Sequence, residues 1–363
     1  MTAPRVAASV GELVSYLDGI CHIEGERVVI DDVATFRDTA IKDIAWSATF
    51  SDDEAVVEAA RWMVWEASQE LGIRSASIHE LYMARSRDEY SGWSEPAINL
   101  RTQVFDMAAA GCRAAMEIGA GSPIWELARS EQAYTFQRPG EYITSVLAGA
   151  IHAGWEGPIF IQGDHYQWNA KNYAKDPDQV TSALHEATLN AMSVGYGNID
   201  IDSSTLVDLS YDSLDEQQKE NYTRAAELAA LIRENEELTI SIGGEIGEVG
   251  KANSSPEELR AYLDGFNKDF AARAGEVAGS EEPAHLRDAF RPQLAVEDHQ
   301  RPAAPLTERH HPDQGHLRSL RRLRQLGQQA LHRVQHRLAS PDLDRRSQLL
   351  PAETEDGRQR LLV

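Results

Sequence analysis

The sequence predicts an α/β fold in which a parallel sheet is covered by helices. From residue 95 onward, short apolar runs alternate with helical stretches. The runs begin roughly 26 to 41 residues apart, the length of a βαβ unit. They are continuously apolar rather than alternating, as strands buried on both faces require.

The elements follow in order. Strands are expected at PAINL (96–100), SPIWELA (122–128), GPIFIQG (157–163), GNIDIDS (197–203) and LTISIGG (238–244). Helical segments separate them, among them TQVFDMAAAGCRAAMEIG, the stretch 177–192 and SLDEQQKENYTRAAELAALIREN. The last opens with Ser213 and Glu216 in capping-box spacing. SSPEELRAYLDGF follows the fifth strand, with Ser255 as N-cap, Pro256 at the first helical position and Glu258 completing a box. Residues 1–94 are expected to be a mostly helical N-terminal extension, with Ser51 and Glu54 capping the helix in SDDEAVVEAARWMVWEASQEL.

Two architectures suit five such units, an open doubly wound sheet or a (β/α)₈ TIM-type barrel. A doubly wound dinucleotide fold would carry a Gly-rich turn after its first strand, and PAINLRTQ has no glycine. The barrel is therefore the expected class. It is incomplete at five βα units, with the barrel portion spanning 95–280.

Residues 281–363 are a different kind of polypeptide. They hold 14 arginines, 12 acidic residues and no lysine or isoleucine, and seven of the chain's 12 histidines lie beyond residue 284. RSLRRLRQLGQQALHRVQHRL reads as an amphipathic helix, and the flanking Pro- and Gln-rich stretches as disordered or loosely helical. Either this is a divergent extension, or the barrel sequence stops near residue 280 and the rest is translated out of frame. The abrupt change to Arg, Leu, Gln, His, Pro and Ala favours the second.

Charge and composition narrow the function classes. A net charge of −23 over 363 residues opposes general binding to nucleic acid or anionic membrane. The tail's arginines are balanced by acids and lack interleaved aromatics, so RNA binding is not expected there either. Two cysteines form no disulfide framework and suit a reducing cytoplasm. No apolar run approaches the ~18 residues of a membrane span, and the N-terminus lacks signal-peptide character.

Function in either architecture sits at the C-terminal ends of the strands. There the chain places Asp164 and His165 side by side, Asp202 in GNIDIDS, and Glu245 inside GGEIGEVG. A neutral imidazole and a carboxylate converging in one mouth can ligate zinc, and a neighbouring carboxylate can carry a proton. Asp202 fits equally well as an Asx cap for the turn after it. His310 and His311 are read as exposed loop residues.

These pieces resemble the class II fructose-bisphosphate and tagatose-bisphosphate aldolases. The matching segments are Pro96-Ala97-Ile98-Asn99, Gly163-Asp164-His165, Ile201-Asp202-Ser203-Ser204 and Glu245-Ile246-Gly247, across roughly residues 95–265. The resemblance implies a zinc-dependent (β/α)₈ barrel that reversibly cleaves a phosphorylated ketose. It implies His165 and Glu245 as zinc ligands and Asp164 as the acid/base on the hydroxyl next to the breaking bond. Asn99, Ser130 and Asp202 would lie around the substrate, Ser130 near its phosphate. Bound zinc would stabilise the enediolate charge as a Lewis acid, so no Schiff-base lysine is needed. Homodimerisation is left open. The chain departs from the family in two places. EVGKANSS replaces an acidic glycine loop, where Glu248 is nearby but unaligned, and two late Gly-flanked histidine ligands are unmatched. Those departures suit an alternative, a non-catalytic or inactive truncated aldolase-family barrel serving as an accessory subunit.

Overall fold

The computed structural model describes residues 3–92, 94–236, 238–247 and 253–277. Glu248 and the 281–363 tail, with its expected helix and its histidines, lie outside the described residues.

All five expected strands form, as β4 (Ala97–Asn99), β5 (Ile124–Ala128), β6 (Gly157–Gln167), β7 (Asn198–Asp202) and β8 (Ser241–Gly244). They pair in parallel in the order β4-β5-β6-β7-β8, so each strand lies beside its predecessor. These five run in one direction across the sheet, and a sixth strand joins it out of that sequence, beside β6. Every residue of β5 is buried, which explains its unbroken apolar sequence around Glu126.

Residues 1–90 contain more strand than expected. β1 (Cys21–Glu24) and β2 (Arg27–Ile30) make an antiparallel hairpin, and β3 (Ile73–Ala76) pairs in parallel with β6. The hairpin turns at Gly25, whose φ of 61° supplies the left-handed backbone a two-residue turn needs. Charged residues interrupt the apolar positions here, so the hairpin has little strand signal. The expected cap at Ser51 is also corrected. Asp53 caps the helix Glu54–Glu70 by accepting from the Ala55 N–H, while the Ser51 hydroxyl donates to the Ala7 carbonyl. The Ser213 and Ser255 caps form as expected.

β3 and β7 share one edge of β6. Phe160 on β6 pairs with Ile124 of β5 on one side and Ala76 of β3 on the other, and β7 takes over from Gln162. Where β3 ends and β7 begins, the fully buried Asn198 amide bridges them. Its Oδ1 accepts from the Ile78 N–H at 2.9 Å, and its Nδ2 donates to the carbonyls of Ala76 (3.2 Å) and Ile161 (3.0 Å). A side chain thus replaces ladder hydrogen bonds that the strand junction interrupts.

Helices cover the sheet. Val104–Ile118 packs on Pro139–Ala153, which also meets Ile41–Phe50 and Glu54–Glu70. Leu214–Asn235 packs on Pro256–Val277. One apolar cluster runs from Ala7 through Trp125 and Trp168 to Phe270, so the N-terminal helices and the sheet share a core. Both cysteines are free and buried, with burial pushing the Cys21 thiol up to about 11 and Cys112 up to about 12. No helix among the described residues is long and apolar enough to cross a membrane.

Asn198→Ala removes three buried hydrogen bonds and strands their partners. It should lower the unfolding free energy by about 2–4 kcal/mol, read from the denaturant midpoint. An unchanged midpoint would show that the amide is not the joint between β3 and β7.

Candidate metal and catalytic site

β6 runs four residues past Gly163 and changes register there. Gly163 pairs with Ile199, but Tyr166 pairs with Ile201, so Asp164 and His165 together oppose Asp200. This is a β-bulge, which bends a strand and re-aims side chains. His165 takes the strain, with φ at 45°, a backbone region non-glycine residues rarely occupy. Gly163 is required for packing. A Cβ there would lie 2.3 Å from Cε2 of the Tyr166 ring, which folds back beneath the bulge.

The bulge brings His165 to three aspartates. Its Nδ1 lies 3.0 Å from Asp202 Oδ2 and 3.9 Å from Asp200 Oδ2, and its Nε2 lies 3.7 Å from Asp164 Oδ1. Its backbone N–H donates to Asp200 Oδ2 at 3.3 Å. A carboxylate only accepts, so Asp202 holds the proton on Nδ1 and leaves Nε2 as the lone pair of the neutral ring. Asp202 is only 2% exposed. Its Oδ1 accepts from the Ser204 N–H (3.1 Å) and hydroxyl (2.6 Å), and Gln167 donates to its Oδ2. The Asx cap and the histidine contact therefore both occur, one on each carboxylate oxygen.

Asn99, at the end of β4, donates from Nδ2 to Asp164 Oδ2 at 2.8 Å. Asp164, His165 and Asp200 offer ligand atoms that all lie within 4.8 Å of one another, a grouping able to hold a metal ion. Glu245 directly follows β8 and interacts electrostatically with Asp202, His165 and Asp164, but its carboxylate is not part of that trio. The glycines before it make room for protein rather than ligand, since Cβ atoms would sit 2.7 Å from Asp200 Oδ1 at Gly243 and 2.6 Å from the Tyr262 hydroxyl at Gly244. Ser130 is exposed on the first turn of the helix Arg129–Tyr134, and no hydrogen bond among the described residues ties it to the cluster. Its neighbour Glu131 turns inward instead, toward Asn99 and Arg101.

Two carboxylates join the cluster that were not singled out in sequence. Asp200 lies two residues before Asp202 on β7, hence on the same sheet face. Glu126 is buried on β5, where its Oε2 accepts from Gln162 Nε2 at 2.7 Å. The signal available for each was a charge inside a buried apolar strand.

This crowding is expensive electrostatically. Burial pushes Glu126 up to about 7, helped by the charge of Asp164. Burial also pushes Asp200 up to about 7, helped by Glu245. Glu245 is raised by burial and then by Asp202. Burial alone would lower His165, but the attraction of Asp164, Asp202 and Asp200 outweighs it and raises the imidazole. A group of acids that resist ionising together is satisfied by a cation. Comparison of the chain with protein-family models, with curated proteins and with solved structures returns no match.

In the metal-free chain, Asp200 and Glu126 hold protons when folded that an unfolded carboxyl releases near pH 4. The folded state therefore binds more protons between about pH 4 and 7, and its stability falls as pH rises through that window, on the order of a few kcal/mol for Asp200. Thermal melts with chelator should show Tm declining from pH 5 to 8, with a shallower slope in Asp200→Asn. A divalent ion should raise Tm more at pH 8 than at pH 5. A pH-independent Tm would contradict the raised carboxyls.

Proposed function

We propose that the chain is a class II aldolase-like lyase that performs zinc-dependent, reversible aldol cleavage of a phosphorylated ketose of the fructose- or tagatose-bisphosphate type. The observation that carries this reading is the setting of His165. Its Nδ1 is fixed by Asp202 with Asp200 close by at 3.9 Å, and its Nε2 makes no hydrogen bond among the described residues and faces Asp164 at 3.7 Å. Carboxylate-oriented imidazoles are the usual form of a metal-binding histidine. The sequential parallel strand order is what one sector of a (β/α)₈ barrel would have, with these residues at its C-terminal mouth.

The donor chemistry fits a divalent ion. His165 would be a nitrogen ligand, with Asp200 or Glu245 supplying oxygen, and an imidazole among the ligands suits zinc. When bound, such an ion supplies Lewis-acid polarisation of a substrate carbonyl oxygen. The chain's own residues do the rest. Asp164, held by Asn99 on one oxygen, takes the proton of the hydroxyl next to the breaking bond and returns it in condensation. Asp202 keeps His165 in one tautomer and orientation.

The accessory-subunit reading also has an observation in its favour. His165 is the one histidine within reach of these carboxylates among the described residues. Metal analysis and an aldol-cleavage assay separate the two. The lyase reading expects one zinc per chain, lost in His165→Ala. It also expects Asp164→Asn to keep the metal and lower kcat by about 10²–10⁴-fold. Bound metal without turnover would favour the accessory subunit, and full turnover in Asp164→Asn would remove Asp164 from its role.

A further inference from the structure

We propose that Arg101 is the anion-recognition residue of this site, receiving an oxyanion group, phosphate or carboxylate, of a small substrate beside Asp164. The mouth around His165 is lined by Glu126, Asp164, Asp200, Asp202 and Glu245. That field repels an anionic ligand except where a cation is fixed. Arg101 is such a cation. It lies two residues beyond Asn99, a rise of about 7 Å along an extended chain. The Leu100 N–H still donates to the Glu126 carbonyl, which continues the β4–β5 ladder. Arg101 and Asn99 both reach Glu131, so they project to the same side.

The guanidinium is held but not used up. Its Nε donates to Glu131 Oε1, and the Tyr134 hydroxyl donates to that same oxygen at 3.3 Å. Gln137 Nε2 anchors the Arg101 carbonyl at 3.1 Å. The side chain remains 53% exposed, and these partners cannot occupy all five guanidinium N–H groups. A fork held by Glu131 and Tyr134 that still exposes half of its side chain has N–H groups left to grip a carboxylate or phosphate.

Glu131 links this fork to the reacting end of the site. Its Oε2 accepts from the Ala128 N–H (3.2 Å) and lies 3.5 Å from Asn99 Nδ2, which in turn donates to Asp164. An oxyanion on Arg101 is therefore held in register with Asp164 through three side chains. Phe136, next to the Gln137 that holds the Arg101 carbonyl, is 84% exposed on left-handed backbone (φ 57°). The inference takes from the proposed reaction only that substrate binds at this mouth, not that the chemistry is aldol cleavage.

Titration calorimetry on the full chain tests it, using inorganic phosphate and acetate as probes, with and without zinc. Arg101→Gln should weaken the better probe about tenfold or more, Arg101→Lys should retain part of the affinity, and zinc content should not change. Tighter phosphate than acetate identifies a phosphate ester, and the reverse a carboxylate. Glu131→Gln, which removes the compensating charge, should bind the anion more tightly and keeps the test open if Arg101→Gln does not fold. Equal affinity in wild type and Arg101→Gln, no anion binding in the wild type, or unchanged affinity in Glu131→Gln overturns the proposal. Arg101-dependent anion binding without aldol turnover leaves it standing and removes the lyase reading. Turnover with an unchanged KM in Arg101→Gln does the opposite.

Discussion

The register break on β6 between Gly163 and Tyr166 is the constraint on which the site depends. One extra residue on that strand lets two consecutive side chains, Asp164 and His165, reach the same space, which regular pleating would forbid. The left-handed backbone at His165 is a local cost of roughly 1–3 kcal/mol, held by what surrounds it. The Tyr166 ring packs against Gly163, and Asp200 accepts the His165 backbone N–H. β6 can hold such a feature because it is paired on both edges, with β5 on one and β3 followed by β7 on the other.

The second constraint is charge. Several carboxylates share a half-buried volume with one imidazole, and the raised acids at Glu126, Asp200 and Glu245 express the cost of that arrangement. A fold selected for stability alone would avoid it. Hydrogen bonds divide the group into distinct roles. Asp202 is fully engaged with Ser204, Gln167 and His165, Asp164 is oriented by Asn99, and Asp200 keeps an oxygen near the imidazole. Beside them, Glu131 connects Asn99 with Arg101, the site's link to its surface.

Much of this was legible in sequence. Apolar runs ending in charge located β4 to β8 and five residues that gather at their ends, Asn99, Asp164, His165, Asp202 and Glu245. The hairpin β1–β2 and strand β3 were not legible. CHIE, RVVI and IRSA are short and mixed in character, and their strand state depends on pairing partners. Ser130, which the resemblance implies near a substrate phosphate, is exposed on the first turn of its helix, while its neighbour Glu131 turns toward Asn99.

By itself the sequence determined the strands β4 to β8, their parallel class and the presence of an acid–imidazole pair where a buried strand ends. These follow from periodicity and composition, which act locally. Only the tertiary structure decided which acids meet that imidazole. Glu126, Asp200 and Arg101 join the site through cross-strand pairing, through a one-residue bulge and through a glutamate shared by neighbouring loops. The distances between residues far apart in the chain are set by register and packing, and a linear pattern does not contain them.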